Sequence, residues 1–324
     1  MSHASLDIAM LGGQTMGTTW SVKLVVPRHR DLHPIHAGIQ RVLDTVVAQM
    51  STWEPESGIS RYNRAPAGSW HRLPGGFRAV MQVALDVARA SGGAFDPSVG
   101  PMVSLWGFGA HAGARRVPAQ DAIDAMRARV GWTRLQWRDD GHELLQPGGL
   151  ELDLSGIAKG YGVDAVHRHL KEQAIASALV EVGGELHGYG RKPDGQPWRV
   201  LVESAPEEDD ASGLPPRVLA LDDLAIATSG DRWHRFDADG RRYSHTFDPR
   251  LGRPVERAAA AVTVIAGDAT QADAWATAFT VLGPGPGIAL ADARGLAVRF
   301  LARTHAGVEE RMSQAFERLL ETHA

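Results

Sequence analysis

A short stretch near the C-terminus, Gln271-Ala-Asp-Ala-Trp-Ala-Thr-Ala-Phe-Thr-Val-Leu-Gly283, constrains this chain more than any other. Its pattern predicts a helix over 270–282. Asp273 and Thr277 stand four residues apart and share one helix face. Ala272, Ala274, Ala276 and Ala278 leave room for something to approach closely. Taken alone, the pair is two small polar residues on the wet face of an ordinary helix. Asp273 also falls in the first turn, where the helix dipole favours a carboxylate.

A second stretch gives that pair a partner. Leu152-Asp-Leu-Ser-Gly-Ile-Ala-Lys-Gly-Tyr-Gly162 reads as a strand end running into a helix start. Free N–H groups and the positive dipole end suit a phosphate there. A carboxylate with a hydroxyl suits a Mg²⁺ ion riding on such a phosphate. The pairing suggests chemistry on a nucleotide pyrophosphate. The plainer reading makes Asp153 or Ser155 a helix cap. The glycine spacing matches neither the dinucleotide fingerprint nor a P-loop. Lys159 lies in the first turn, a position unfavourable to a cation unless an anion binds beside it.

Along the rest of the chain, strands are predicted at 17–26, 133–138, 143–146, 150–154, 178–182, 198–203, 217–222, 224–228, 242–246, 260–266 and 296–302. Helices are predicted at 34–50, 77–90, 119–130, 157–172, 286–293 and 312–322. Asp239-Gly240 offers turn chemistry before the strand at 242–246. The acidic, proline-rich segment 204–216 reads as an exposed, mobile loop. Strands and helices interleave without a regular βαβ rhythm. The expected class is therefore α+β, with mixed or antiparallel sheets flanked by helices in a single compact unit over 1–324.

Composition removes several function classes. A formal net charge of -4 argues against a nucleic-acid partner. The absence of cysteine excludes disulfides, thiolate nucleophiles and cysteine metal sites. No run approaches the about 18 apolar residues of a transmembrane segment. The first residues lack the basic region and apolar run of a leader, so a cytoplasmic protein is expected, or a periplasmic one if a leader was trimmed.

Three further groups of residues are candidates. His245, in Tyr243-Ser-His-Thr-Phe-Asp-Pro-Arg-Leu-Gly252, is a possible proton shuttle at a strand end, among 14 histidines that are mostly structural or solvated. Trp53 stands in a polar loop and either stacks on a flat ring or packs down on the core. The loop Ser91-Gly-Gly-Ala-Phe-Asp-Pro-Ser-Val-Gly-Pro101 is either a rigid turn or a place where Asp96 accepts from a ligand.

In order along the chain, these pieces resemble the ApbE-type flavin transferases, the FAD:protein FMN transferases. The matching pieces are Met16-Gly-Thr-Thr-Trp20, Met50-Ser-Thr-Trp53, Gly93-Ala-Phe-Asp-Pro97 with Val99-Gly-Pro101, and Leu105-Trp-Gly-Phe108. Asp153-Leu-Ser-Gly-Ile-Ala-Lys-Gly160, Val182-Gly-Gly184, Ala227-Thr-Ser-Gly230, Ser244-His245 with Asp248-Pro249, and Ala272-Asp273 with Thr277 complete the set. The resemblance implies an ApbE-like, T-fold-like architecture and a Mg²⁺-dependent enzyme. Such enzymes cleave FAD, attach FMN through a phosphoester to a Thr or Ser of a flavin-acceptor protein, and release AMP. Carried over, Mg²⁺ would take the Gly156 carbonyl, Asp273 and Thr277. FAD would lie against Met16 and Trp53, its adenosine part held by Ala94, Phe95 and Asp96. Asp153, Lys159 and the backbone near Phe247 would make polar contacts to it, and His245 would be the base. Many relatives carry Tyr where Trp53 stands here, and many are lipoproteins anchored through a cysteine that this chain lacks. An FAD pyrophosphatase and a non-catalytic FAD carrier are the competing readings. Asp273→Ala is expected to remove a metal ligand and no core contact.

Overall fold

The computed structural model describes residues 5–323 apart from 111–112, 114, 203–213, 231–234, 239–240, 256–258 and 306. Strand Thr18–Pro27 shows how the fold starts from the sequence. Trp20, Val22, Leu24 and Val26 alternate with more exposed residues and are all buried, as a strand with one covered face requires. It pairs with Leu6–Thr15 through a two-residue turn in which Met16 and Gly17 both take positive φ, 49° and 70°. That turn matches the right-handed twist of a hairpin.

Among the described residues eight strands build the main sheet, in the order Leu6–Thr15, Thr18–Pro27, Ala178–Val182, Glu185–Tyr189, Leu224–Ser229, Ala261–Ala266, Ala297–Thr304 and Gly307–Met312. Every neighbouring pair is antiparallel. Helices His33–Met50, Gly75–Ala90, Ala158–Glu172 and Ala269–Leu282 cover one face. Their apolar sides meet Val22, Val180, Ala227, Val264 and Val298 of the strands. Residues one step along the same strands, Ile226, Ile265 and Ala297, point the other way. There they pack under the hairpin Trp198–Val202/Arg217–Leu221 and under Phe316 of helix Gln314–His323. Each fully buried aliphatic or Phe side chain contributes about 1.5–3 kcal/mol to that packing. The α+β, antiparallel expectation therefore holds.

Several local expectations change. Strand 133–138 is a 3₁₀ turn at Trp132–Arg134 followed by the short strand Trp137–Arg138. Segment 150–154 forms no strand and makes only an isolated parallel bridge, Val99 to Glu151. Predicted helix 312–322 begins at Gln314, after strand Gly307–Met312. The mobile-loop expectation for 204–216 falls largely on residues 203–213, and the Asp239-Gly240 turn wholly, outside the described residues. Among the described residues no helix is long and apolar enough to cross a membrane.

Candidate active site

Helix Ala269–Leu282 is not an ordinary surface helix. Almost all of it is buried, Asp273 included at 5% exposure. Its start is tied down twice. Asp268 accepts from the Gln271 N–H at 2.8 Å. Asp164, on helix Ala158–Glu172, accepts from the N–H groups of Ala269 (2.9 Å) and Thr270 (2.8 Å) and from the Thr270 hydroxyl (2.5 Å). Burial pushes the Asp164 carboxyl up, but these bonds and His187 outweigh it and hold it below the usual range.

The two helices touch at Gly160. The Gly160 N–H donates to Asp273 Oδ2 at 3.0 Å. A Cβ at position 160 would sit 2.1 Å from the Ala269 carbonyl oxygen and 2.8 Å from the Asp273 Cβ. Only glycine permits this approach. Asp273 thus occupies the core and closes a helix–helix contact, which corrects two expectations. The pair does not lie on a wet face, and Asp273→Ala would cost a core hydrogen bond as well as a ligand atom.

Lys159 also faces inward. Its ammonium lies 2.6 Å from Glu185 Oε1 and 3.5 Å from the Gly183 carbonyl. The anion that a first-turn cation calls for is thus supplied in part by the protein. Burial alone would push Lys159 down, but Glu185, Asp273 and Glu181 outweigh it and hold it above its ordinary value. Burial, and next the Asp273 charge, push the Glu185 carboxyl up to about 8 against the pull of Lys159. Burial likewise pushes Asp273 up, with Lys159 and the Gly160 N–H opposing. These shifts share one origin. Two buried carboxylates face one half-buried ammonium, so the cluster is short of positive charge.

The residues beside it can supply a place for that charge. Thr277, one turn on from Asp273, donates its hydroxyl toward the Gly156 carbonyl at 3.5 Å. Gly156, Asp273 and Thr277 form a set of hard oxygen donors of the kind that Mg²⁺ takes, with its remaining positions left to water and phosphate. Among the described residues Asp273 Oδ1 has no hydrogen-bond partner, and Glu185 Oε2 is buried without one. The donor set and the charge deficit both fit a hard divalent cation. The Met16 turn adjoins this group: Met16 Cε faces Gly162, and Thr18 beside the turn meets Gly183 next to the Lys159 stem.

A second group surrounds the 91–101 loop. Ala94 and Phe95 are buried. Asp96 accepts from the Ser98 N–H (2.8 Å) and hydroxyl (2.6 Å) through Oδ1, and from the Trp132 N–H (3.0 Å) through Oδ2. Burial pushes its carboxyl up and these bonds recover only part of the shift. Asp96 builds the loop, so the rigid-turn reading has direct support. Gly93 faces the Trp132 ring and the stem of Arg250, whose guanidinium holds Asp248 at 2.7 Å. His245 sits in the same segment, between strands Arg241–Ser244 and Phe247–Asp248, and Phe247 packs with Trp106 and Phe108. The two groups are stitched together where the Asp153 N–H donates to the Pro97 carbonyl at 2.8 Å. The Asp153 side chain accepts from the Ser155 N–H and does not cap the helix. Trp53 stands apart in the turn after helix His33–Met50, 67% exposed and not packed on the core.

Sequence reasoning missed Gly160 as a contact, Asp164 as a cap and Glu185 as the lysine's partner. Glu185 follows directly on Val182-Gly-Gly184. A carboxylate at the first position of an apolar strand was the available signal.

An antiparallel α+β fold carrying hard oxygen donors, a half-buried lysine and a close helix start is equipped for transfer of a phosphate-linked group. The chain belongs to the ApbE family, whose model matches residues 16–300. It is 37% identical to the FAD:protein FMN transferase of Vibrio cholerae over 312 residues, 96% of this chain and 92% of that protein. It is 33% identical to the FAD:protein FMN transferase of Escherichia coli K12 over 322 residues, 98% of this chain and 91% of that one. The apo structure of Pseudomonas stutzeri flavinyl transferase ApbE superposes with a TM-score of 0.89 at 38% identity, covering 97% of both chains. The flavin transferase ApbE of Vibrio cholerae gives 0.89 at 35%, covering 98% of this chain and all of that one.

Proposed function

We propose that this protein is a Mg²⁺-dependent FAD:protein FMN transferase that attaches FMN to a Thr or Ser hydroxyl of an acceptor protein and releases AMP. The observation that carries this reading is the Asp273 cluster, a buried carboxylate beside Thr277, Gly156 and Lys159 that lacks compensating positive charge. The names of relatives sharing a third or more of its residues over nearly the whole chain support the transferase assignment.

Gly156, Asp273 and Thr277 would hold Mg²⁺. When bound, the ion supplies charge neutralisation on the pyrophosphate and helps align the groups for in-line displacement. Lys159 adds a fixed positive charge, held in place by Glu185. Asp164 fixes the start of the Asp273 helix, so its donors keep their position without reorganising during reaction. Trp53 offers an exposed aromatic face to the isoalloxazine ring. His245 takes the proton of the acceptor hydroxyl. The hydroxyl oxygen forms a bond to the FMN phosphorus, the bond from that phosphorus to the bridging oxygen breaks, and AMP leaves with that oxygen.

Incubation of the protein with FAD, Mg²⁺ and a Thr-bearing acceptor domain tests this, with intact-mass measurement of the acceptor and AMP followed in parallel. One FMN added per acceptor with matching AMP, abolished by a chelator, is the expected result. AMP and free FMN at the same rate with or without the acceptor would make the protein a pyrophosphatase instead. Binding of FAD with no AMP formed would make it a carrier.

A further inference from the structure

A second cluster lies further along the same pair of elements and has no part in the flavin reaction as derived above. Among the described residues, one ligand atom from each of His167, His187 and Asp223 lies within 4.8 Å of the others. His167 sits on helix Ala158–Glu172 and His187 on strand Glu185–Tyr189. Asp223 sits in the turn between strands Arg217–Leu221 and Leu224–Ser229, with a positive φ of 56°. The imidazole rings lie with centroids 4.0 Å apart, tilted by 51°.

The hydrogen bonding leaves nitrogen lone pairs over. His187 is 3% exposed, and its Nδ1 faces Asp164 Oδ1 at 3.5 Å. A proton on Nδ1, turned toward that carboxylate, leaves Nε2 as the atom that can accept or ligate. Nε2 of His187 is buried without a hydrogen-bond partner, and so is Nε2 of His167. Two buried nitrogens without partners, side by side, are costly unless something binds there.

We propose that His167, His187 and Asp223 bind a zinc-type transition-metal ion. Two imidazoles and a carboxylate suit zinc or cobalt better than magnesium. The arrangement Asp164–His187–metal would repeat the pattern in which a carboxylate orients a ligating histidine through its other ring nitrogen. The distances are close to what is needed. Ligand atoms about 2.1 Å from a tetrahedral ion stand about 3.4 Å apart, and His187 Nε2 already lies 3.8 Å from Asp223 Oδ1. Asp223 is 65% exposed and gives the ion a route in. It would leave its present partner Lys171, 3.3 Å away, which keeps the Tyr189 ring beneath its ammonium. Because Asp164 caps the Asp273 helix, an ion here would brace the start of that helix.

Titration of the full-length protein with Co²⁺, in Mg²⁺ sufficient to fill the oxygen site, tests this. The expected result is one saturable Co²⁺ with visible d–d absorption, displaced by Zn²⁺, and a melting temperature raised by Zn²⁺. Asp223→Asn, an exposed change that leaves the fold in place, should weaken Co²⁺ tenfold or more. His167→Gln and His187→Gln should abolish the band and the thermal shift, with near-ultraviolet dichroism confirming folded variants. No saturable Co²⁺ binding, or the same band and affinity in all three variants, would overturn the proposal.

Discussion

Two ends of one seam between helix Ala158–Glu172 and strand Glu185–Tyr189 make different chemistry from the same scaffold. At one end Lys159 meets Glu185, and Gly160 meets Asp273. At the other, Asp164 and His167 meet His187. Helical spacing and the two-residue period of a strand bring successive residues into register along this line. The first end offers oxygens and excess negative charge, which suits a hard cation and phosphates. The second offers imidazole nitrogens, which suit a softer ion. Asp164 joins the two by capping the helix that carries Asp273.

The sharpest way to break this contrast is at Asp273. Asp273→Asn keeps the shape and an acceptor for the Gly160 N–H but removes the charge. Transfer should fall about a hundredfold or more, the several kcal/mol a catalytic metal supplies, while the histidine end stays unchanged. Steady-state AMP release by folded variant protein measures it.

Gly160→Ala attacks the packing on which the oxygen end depends. The new methyl would meet the Ala269 carbonyl and the Asp273 Cβ, neither of which can swing aside. A loss of about 1–3 kcal/mol is expected, read from urea unfolding.

How much of this was legible in the sequence follows from the same contrast. Asp273, Thr277 and Lys159 announced themselves because each violates a local rule: polar residues among alanines, and a cation at a helix start. The alternation of Trp20, Val22 and Leu24 marked the strand Thr18–Pro27. Strand Leu6–Thr15 was missed because only one of its residues is fully buried, and its pairing depends on the Met16-Gly17 turn. Strand Glu185–Tyr189 was missed with it, and so was Glu185. Asp164 reads as an ordinary helix residue until Ala269 and Thr270 are brought to it from more than 100 positions away. The His167–His187 pair likewise exists only through the register of helix on strand.

The charge deficit also predicts a pH dependence. Glu185 is raised in the folded protein from 4.5 to about 8. A raised carboxyl adds stability that is present below its unfolded value and lost as pH climbs through the folded one. The melting temperature of metal-free protein should therefore fall between about pH 5 and 9, and Glu185→Gln should flatten that fall. Differential scanning calorimetry across the window decides it.

The smallest effect belongs to Trp53, which lies outside both ends of the seam. Trp53→Ala should raise KM for FAD roughly twofold to tenfold, the about 0.5–1.5 kcal/mol of a lost aromatic stack. Stability should not change, because the ring is exposed. Initial rates over a range of FAD concentrations measure it.

The most direct measurement is proton release on Mg²⁺ binding, followed in a pH-stat near pH 7 with the protein alone. If two buried carboxylates share one lysine, the proton held on the cluster must leave when the cation arrives. Release approaching one proton per Mg²⁺ bound is predicted for the wild type, and almost none for Glu185→Gln. Mg²⁺ binding without proton release, or equal release from both proteins, would contradict the assignment of this cluster as a cation site.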